Sequence, residues 1–174
     1  MPDGTLKMLN NMKDKTKILF VCLGNICRSP MAEGVFTHMV NERGLREEYI
    51  IDSAGVAGYH IGELPDRRMR EHAWQRGYKL DSRARQVKTD DFFEFDYILA
   101  MDDSNYDALI SIAPNIQTEH KVKRMADFCR HHNMDHVPDP YYGGADGFQL
   151  VIDLLEDACE TLLNEIESNK NETL

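Results

Sequence analysis

Residues 17–23, KILFVCL, form a near-continuous apolar run that ends in a tight loop, GNICRSP, where a helical pattern begins. A strand with no polar face must be covered on both sides, which is the situation of a central parallel strand between two layers of helix. The rest of the chain keeps to that requirement by alternating strand-like and helix-like hydrophobic spacing, the pattern of an α/β fold. Ser29 and Pro30 read as N-cap and first helical residue, followed by an apolar stripe of Ala32, Val35, Phe36, Met39 and Val40 and a stop at Gly44. EYIIDSAG (48–55) is a second strand, and a helix from about Pro65 to near Gly77 carries Met69, Ala73 and Trp74, with Trp74 assigned to the core. FDYILAM (95–101) is the third strand. A short helix over DDSNYDALISIAP ends before Pro114, and HKVKRMADF (120–128) is a weaker fourth strand. The last element, GFQLVIDLLEDACETLLNEIES, is an amphipathic helix with apolar residues from Phe148 to Ile166 and a tail that frays after Ser168.

A chain of 174 residues with 42% hydrophobic content suits one domain with a full core. The expected organisation is a disordered extension over 1–15 and a single domain over 16–170. No apolar run approaches a membrane span, and the first seventeen residues are too polar for a signal peptide, so a cytoplasmic location is expected. Cys22, Cys27, Cys129 and Cys159 are too few for a disulfide framework and read as reduced thiols. A net charge of −10 argues against nucleic acid and anionic membranes as partners. The oligomeric state is left between a monomer and a weak dimer.

The loop after the first strand stands where open α/β sheets hold ligands, beyond the carboxyl ends of their strands. Its amides can converge on an anion, the following helix adds its positive end, and Gly24 permits close approach. Arg28 supplies a fork for two oxygens of a tetrahedral oxyanion such as phosphate. Cys22 opens the same loop, in surroundings that favour the thiolate. The spacing C-x5-R-S separates this pattern from a Walker loop, which needs G-x4-G-K-[ST]. Zinc would need a second ligand pair beside Cys22 and Cys27, for which only CRHH at 129–132 offers itself, and Arg28 would oppose a dication. No metal and no cofactor are expected. His131, His132 and His136 read as a solvated loop.

VPDPYYGG (137–144) carries Asp139 between two prolines, beside Tyr141 and Tyr142. A thiolate attacking phosphorus must expel a poor leaving group, and a carboxylic acid opposite it can supply the proton. The tyrosines offer flat walls for an aromatic substrate.

With VCLGNICRSPMAE, DSAG, FDYILAMDDSN and DPYYGG in this order, the chain resembles the low-molecular-weight protein tyrosine phosphatases from Ile18 to about Ser168. The resemblance implies a three-layer, Rossmann-like sandwich, a four-stranded parallel sheet with helices on both faces. It implies a phosphotyrosine protein substrate, Cys22 as the nucleophile that becomes phosphocysteine, Arg28 as phosphate ligand and Asp139 as general acid and then base. Leu23, Gly24, Asn25, Ile26 and Cys27 complete the phosphate loop. Ser29 would hydrogen-bond the thiolate, Asn25 and Ser53 would hold the loop's shape, and Tyr59 and Tyr141 would wall the substrate ring, where the residues themselves also put Tyr142. It further implies a Cys22–Cys27 disulfide under peroxide, against which stands the plainer role of Cys27 as a buried residue. Three other readings remain. An arsenate reductase would need relay cysteines that the chain lacks between Cys27 and Cys129. A phosphoarginine phosphatase would favour a small hydroxyl where Ile26 stands. A binding module without turnover would need neither the thiol nor the acid. Some family members carry a histidine where this chain has Ser82, so any support that histidine gives is absent or replaced.

Overall fold

The computed structural model describes residues 15–141 and 143–172; all of the expected disordered extension except Lys15 lies outside the described residues, as does Tyr142. Strands β1 (Thr16–Cys22), β2 (Tyr49–Gly55), β3 (Tyr97–Ala100) and β4 (Val122–Arg124) form one parallel sheet in the order β2-β1-β3-β4. The chain leaves β1 for one edge and later returns to its other side, so a crevice opens beyond the carboxyl ends of β1 and β3.

The apolar run of β1 divides by strand alternation into two cores. Ile18 and Phe20 pack on α1 (Arg28–Glu42) and α6 (Ala145–Glu172), while Leu19 and Val21 meet Phe92 of α3 (Thr89–Glu94) and Leu109 of α4 (Asp103–Ile112). This is the expected α/β sandwich with helices on both faces. Every position expected on the apolar stripe of α6, from Phe148 to Ile166, is buried. The helix does not fray after Ser168 but continues to Glu172. Lys170 holds that last turn through Glu167 Oε2, 2.9 Å away, and by lying over the Tyr49 ring.

Helix α1 ends where Gly44 takes a φ of +70°, with Leu45 N–H donating to Val40 O and Gly44 N–H to Asn41 O. Its start differs from expectation. The helix begins at Arg28, with Cys27 in the N-cap position and no side-chain cap, because the Ser29 hydroxyl is engaged elsewhere. Helix α2 (Arg67–Gln75) is capped by Asp66, whose carboxylate accepts from the Arg68 and Met69 amides. Trp74 is 69% exposed, which corrects its assignment to the core. The helix buries Met69 and Ala73, and a residue one place beyond Ala73 is turned about 100° off that face. The fourth strand is shorter than expected and passes into a 3₁₀ turn at Met125–Phe128; α3 and the four-residue α5 (Ile116–Glu119) have no counterpart in the sequence reading. Among the described residues no helix is long and apolar enough to cross a membrane.

Candidate active site

Cys22 ends β1, and the loop Leu23–Cys27 carries the chain over to α1. The loop's carbonyls are tied outward. Cys22 O accepts from Val56 N–H and Leu23 O from Ala57 N–H, both at 2.9 Å, and Ile26 O accepts from Asp66 N–H at 2.7 Å. Gly55 is needed for this close approach, since a Cβ there would stand 2.9 Å from Leu23 O. With these three carbonyls engaged away from the crevice, the loop's amides and the first amides of α1 can serve as donors to an anion there.

A buried polar chain supports the loop from beneath. Asn25, at a φ of 59° in the left-handed region, uses both hydrogens of its amide, donating to Ser29 Oγ at 2.7 Å and Ser53 Oγ at 3.0 Å. Its amide oxygen accepts from Arg85 N–H at 3.1 Å. Ser29 Oγ accepts from Asn25 and lies 3.0 Å from Cys22 Sγ, a contact in which the hydroxyl donates when the sulfur is a thiolate. Ala54 O, 3.4 Å from Ser29 Oγ, is a second acceptor for the same hydroxyl hydrogen. Ser53 in turn donates to Glu33 Oε1 at 2.6 Å. Burial, with Asp52 and Asp81 adding to it, pushes the Glu33 carboxyl up to about 7 against the lowering effects of Ser53 and Arg85. Support from the segment containing Ser82 comes through Arg85, whose guanidinium is gripped by Asp52 and the buried Asp91.

Arg28 is 3% exposed and lies between two carboxylates. Its Nη1 donates to Asp102 Oδ2 at 2.7 Å and to Val137 O at 3.0 Å, while Nη2 is 3.7 Å from Asp139 Oδ2. Asp102 does two things with one carboxylate, capping α4 through Asn105 N–H and orienting Arg28. Removing Asp102 would leave a buried cation short of a partner, a change that typically costs about 3–5 kcal/mol. Val137 N–H donates to Met101 O, which fastens the acid loop to the end of β3. Asp139 itself accepts from Tyr141 N–H at 3.0 Å.

These groups enclose a cavity of about 240 Å³. Cys22, Leu23, Gly24, Ile26, Cys27 and Arg28 make its floor and rim; Tyr59, Asp139 and Tyr141 face them. Asn25, Ser29 and Ser53 lie behind that floor, and the Asn25 side chain points into the polar chain rather than the cavity. Burial pushes the Cys27 thiol up, with Asp66, Cys22 and Asp139 adding to the effect, so Cys27 stays a neutral thiol. Cys22 and Cys27 are both free. Asp157 gathers the histidine loop, accepting from the amides of Arg130 and His131 and pairing with His132 Nδ1 at 2.8 Å.

Sequence reasoning missed Glu33, Asp102, Arg85 and His60. Asp102 had a signal, an N-cap aspartate at the carboxyl end of the strand beside β1. His60 lines the cavity next to Tyr59, and its ring would lie 3.0 Å from a Cβ at Gly24.

The family described as low molecular weight phosphotyrosine protein phosphatase matches residues 17–172. The chain is 44% identical over 154 residues to the low molecular weight protein-tyrosine-phosphatase YfkJ of Bacillus subtilis, covering 88% of this chain and 97% of that one. Its backbone superimposes on a crystal structure of protein tyrosine phosphatase from Entamoeba histolytica with a TM-score of 0.87 and 51% identity, covering 90% of this chain and 99% of that one. A Drosophila arginine phosphatase gives 0.81 and 33%, covering 87% and 98%. The chain belongs to the low molecular weight phosphotyrosine protein phosphatase family and is a hydrolase of that type.

Proposed function

We propose that this protein hydrolyses phosphotyrosine in proteins through a phosphocysteine at Cys22, without a metal ion. The observation that carries the reading is the meeting of Cys22, Arg28 and Asp139 in one cavity. In the first step Cys22 Sγ attacks phosphorus and the bond to the tyrosyl oxygen breaks. The departing phenoxide takes its proton from Asp139. Arg28 and the amide face of the loop hold the three remaining oxygens, stabilising charge as it spreads over them in the transition state. The Ser29 hydroxyl stabilises the thiolate before attack and again when sulfur leaves. In the second step Asp139, now a carboxylate, takes a proton from water as that water attacks phosphorus. The S–P bond breaks, releasing phosphate and restoring the thiolate. Cytoplasmic reducing conditions would keep Cys22 in the reduced form this cycle needs.

Tyr59 and Tyr141, with the apolar edge of Ile26, give the cavity walls suited to a phenyl ring. A phosphoarginine substrate is the second reading, favoured by the likeness to the Drosophila arginine phosphatase. Hydrolysis of phosphotyrosine, phosphoserine and phosphoarginine peptides, with chelator present, separates the two. The proposal expects phosphotyrosine to be preferred and turnover to vanish in Cys22→Ser. Preference for phosphoarginine would replace the substrate assignment, and loss of activity on chelation would overturn the metal-free mechanism.

A further inference from the structure

Asp66 and Arg68 stand outside the cavity, yet they connect its two working loops. Asp66 N–H donates to Ile26 O on the cysteine loop at 2.7 Å. Its carboxylate caps α2 and also takes a two-point grip on Arg68, with Nε to Oδ1 at 3.2 Å and Nη2 to Oδ2 at 3.1 Å. The same Nη2 donates to Tyr141 O at 3.0 Å. The guanidinium carbon lies 5.4 Å from the Tyr141 ring centroid and 5.0 Å from that of Phe148, so two aromatic faces limit its movement. Tyr141 N–H, finally, donates to the Asp139 carboxylate. A continuous set of contacts therefore runs from Ile26 through Asp66, Arg68 and Tyr141 to Asp139.

We infer that Arg68, held by Asp66, is a positioning residue for proton transfer, setting where the Asp139 carboxyl stands relative to Cys22. The inference rests on Asp139 being the acid and goes beyond it by assigning its aim to a strap from α2. The need for such a strap follows from the acid loop's own structure. Its prolines cannot donate backbone hydrogen bonds, and Asp139 is part-exposed, so the loop's geometry is set at a few fixed points. Among the described residues Val137 is one, through Met101 and Arg28, and Tyr141 O is another. Arginine suits the task because its planar fork can face Asp66 and Tyr141 O at once, which a lysine ammonium on a flexible stem does not reproduce.

The test is kcat/KM for a series of aryl phosphates, from phenyl to 4-nitrophenyl, with wild type, Arg68→Met, Asp66→Asn, Asp139→Ala and the Arg68→Met/Asp139→Ala double variant. Inhibition by inorganic phosphate is measured in parallel as a report on the cysteine loop. For Arg68→Met we expect a loss of about tenfold with phenyl phosphate, a fraction of the whole general-acid effect, and about twofold or less with 4-nitrophenyl phosphate. Phosphate inhibition should stay as in wild type. Asp66→Asn, which keeps an N-cap acceptor, should lose less with the same leaving-group bias. The double variant should show no more leaving-group dependence than Asp139→Ala alone. Equal losses of Arg68→Met across the series, or none, beside a steep dependence for Asp139→Ala would overturn the strap and leave the acid standing. A flat series for Asp139→Ala would overturn both.

Discussion

The cysteine loop and the acid loop face each other across the cavity but are built in opposite ways. Beneath the first, Asn25, Ser29 and Ser53 are between 0% and 2% exposed and are joined to one another by hydrogen bonds. On the second, Asp139 has 36% of its side chain exposed, and Tyr141 is 39% exposed. An anion cradle gains most from donors that need no rearrangement when charge develops. In the proposed cycle Asp139 gives a proton to one molecule and takes one from another, and a group with that task must meet solvent, which a loop fastened at a few points and left open allows. Changes in the cradle should therefore damage stability and activity together. Changes on the acid side should damage activity alone.

Asn25→Ala gives the largest break in that contrast. It removes the bonds to Ser29, Ser53 and Arg85 N–H and puts alanine at a positive φ, so we expect kcat/KM to fall by roughly 10²-fold through misplacement of the loop. Denaturant unfolding should register a loss of about 1–3 kcal/mol for the buried partners left unpaired. Glu33→Gln comes next and acts through pH. A carboxyl raised from 4.5 to about 7 favours the fold while it is neutral, so its contribution is fully present below pH 4.5 and is lost as pH rises through about 7. Glutamine keeps the acceptor for Ser53 and does not ionise. Unfolding at pH 5 and pH 8 should move the stability difference in the variant's favour by about 1–3 kcal/mol at the higher pH. Tyr59→Ala is the smallest change and belongs to the open side. Tyr59 is 77% exposed, so stability should move by less than about 0.5 kcal/mol. KM for phosphotyrosine peptides should rise several-fold while kcat holds; a fall in melting temperature instead would place Tyr59 on the supporting side of the comparison.

The same contrast decides what could be read from residues alone. The proposed cradle is compact in sequence: Cys22, the loop, Arg28 and Ser29 lie within eight positions, so one local pattern takes in all of them. The apolar run of β1 and the stripe of α6 likewise carry their burial in their own periodicity. Arg28 meets Asp102 and Val137, and Arg68 meets Tyr141, only because the sheet brings distant segments to one end. No local pattern announces such pairs. Trp74 failed for a related reason, because apolar character beside a buried stripe does not show which way the helix is rotated. Helix α3, six residues long, is too short for a periodic signal, and its fixed point is the Asp91 carboxylate closing back on Lys88 N–H and Arg85.

The most direct test of the covalent mechanism is to mix Asp139→Ala with 4-nitrophenyl phosphate, quench in acid and map the phosphoryl group by peptide mass spectrometry. A good leaving group lets the first step proceed without the acid, while the missing base slows the second, so the account predicts phosphate on Cys22 and no trapped species in Cys22→Ser. Phosphate on another residue, or turnover that persists in Cys22→Ser, would contradict it.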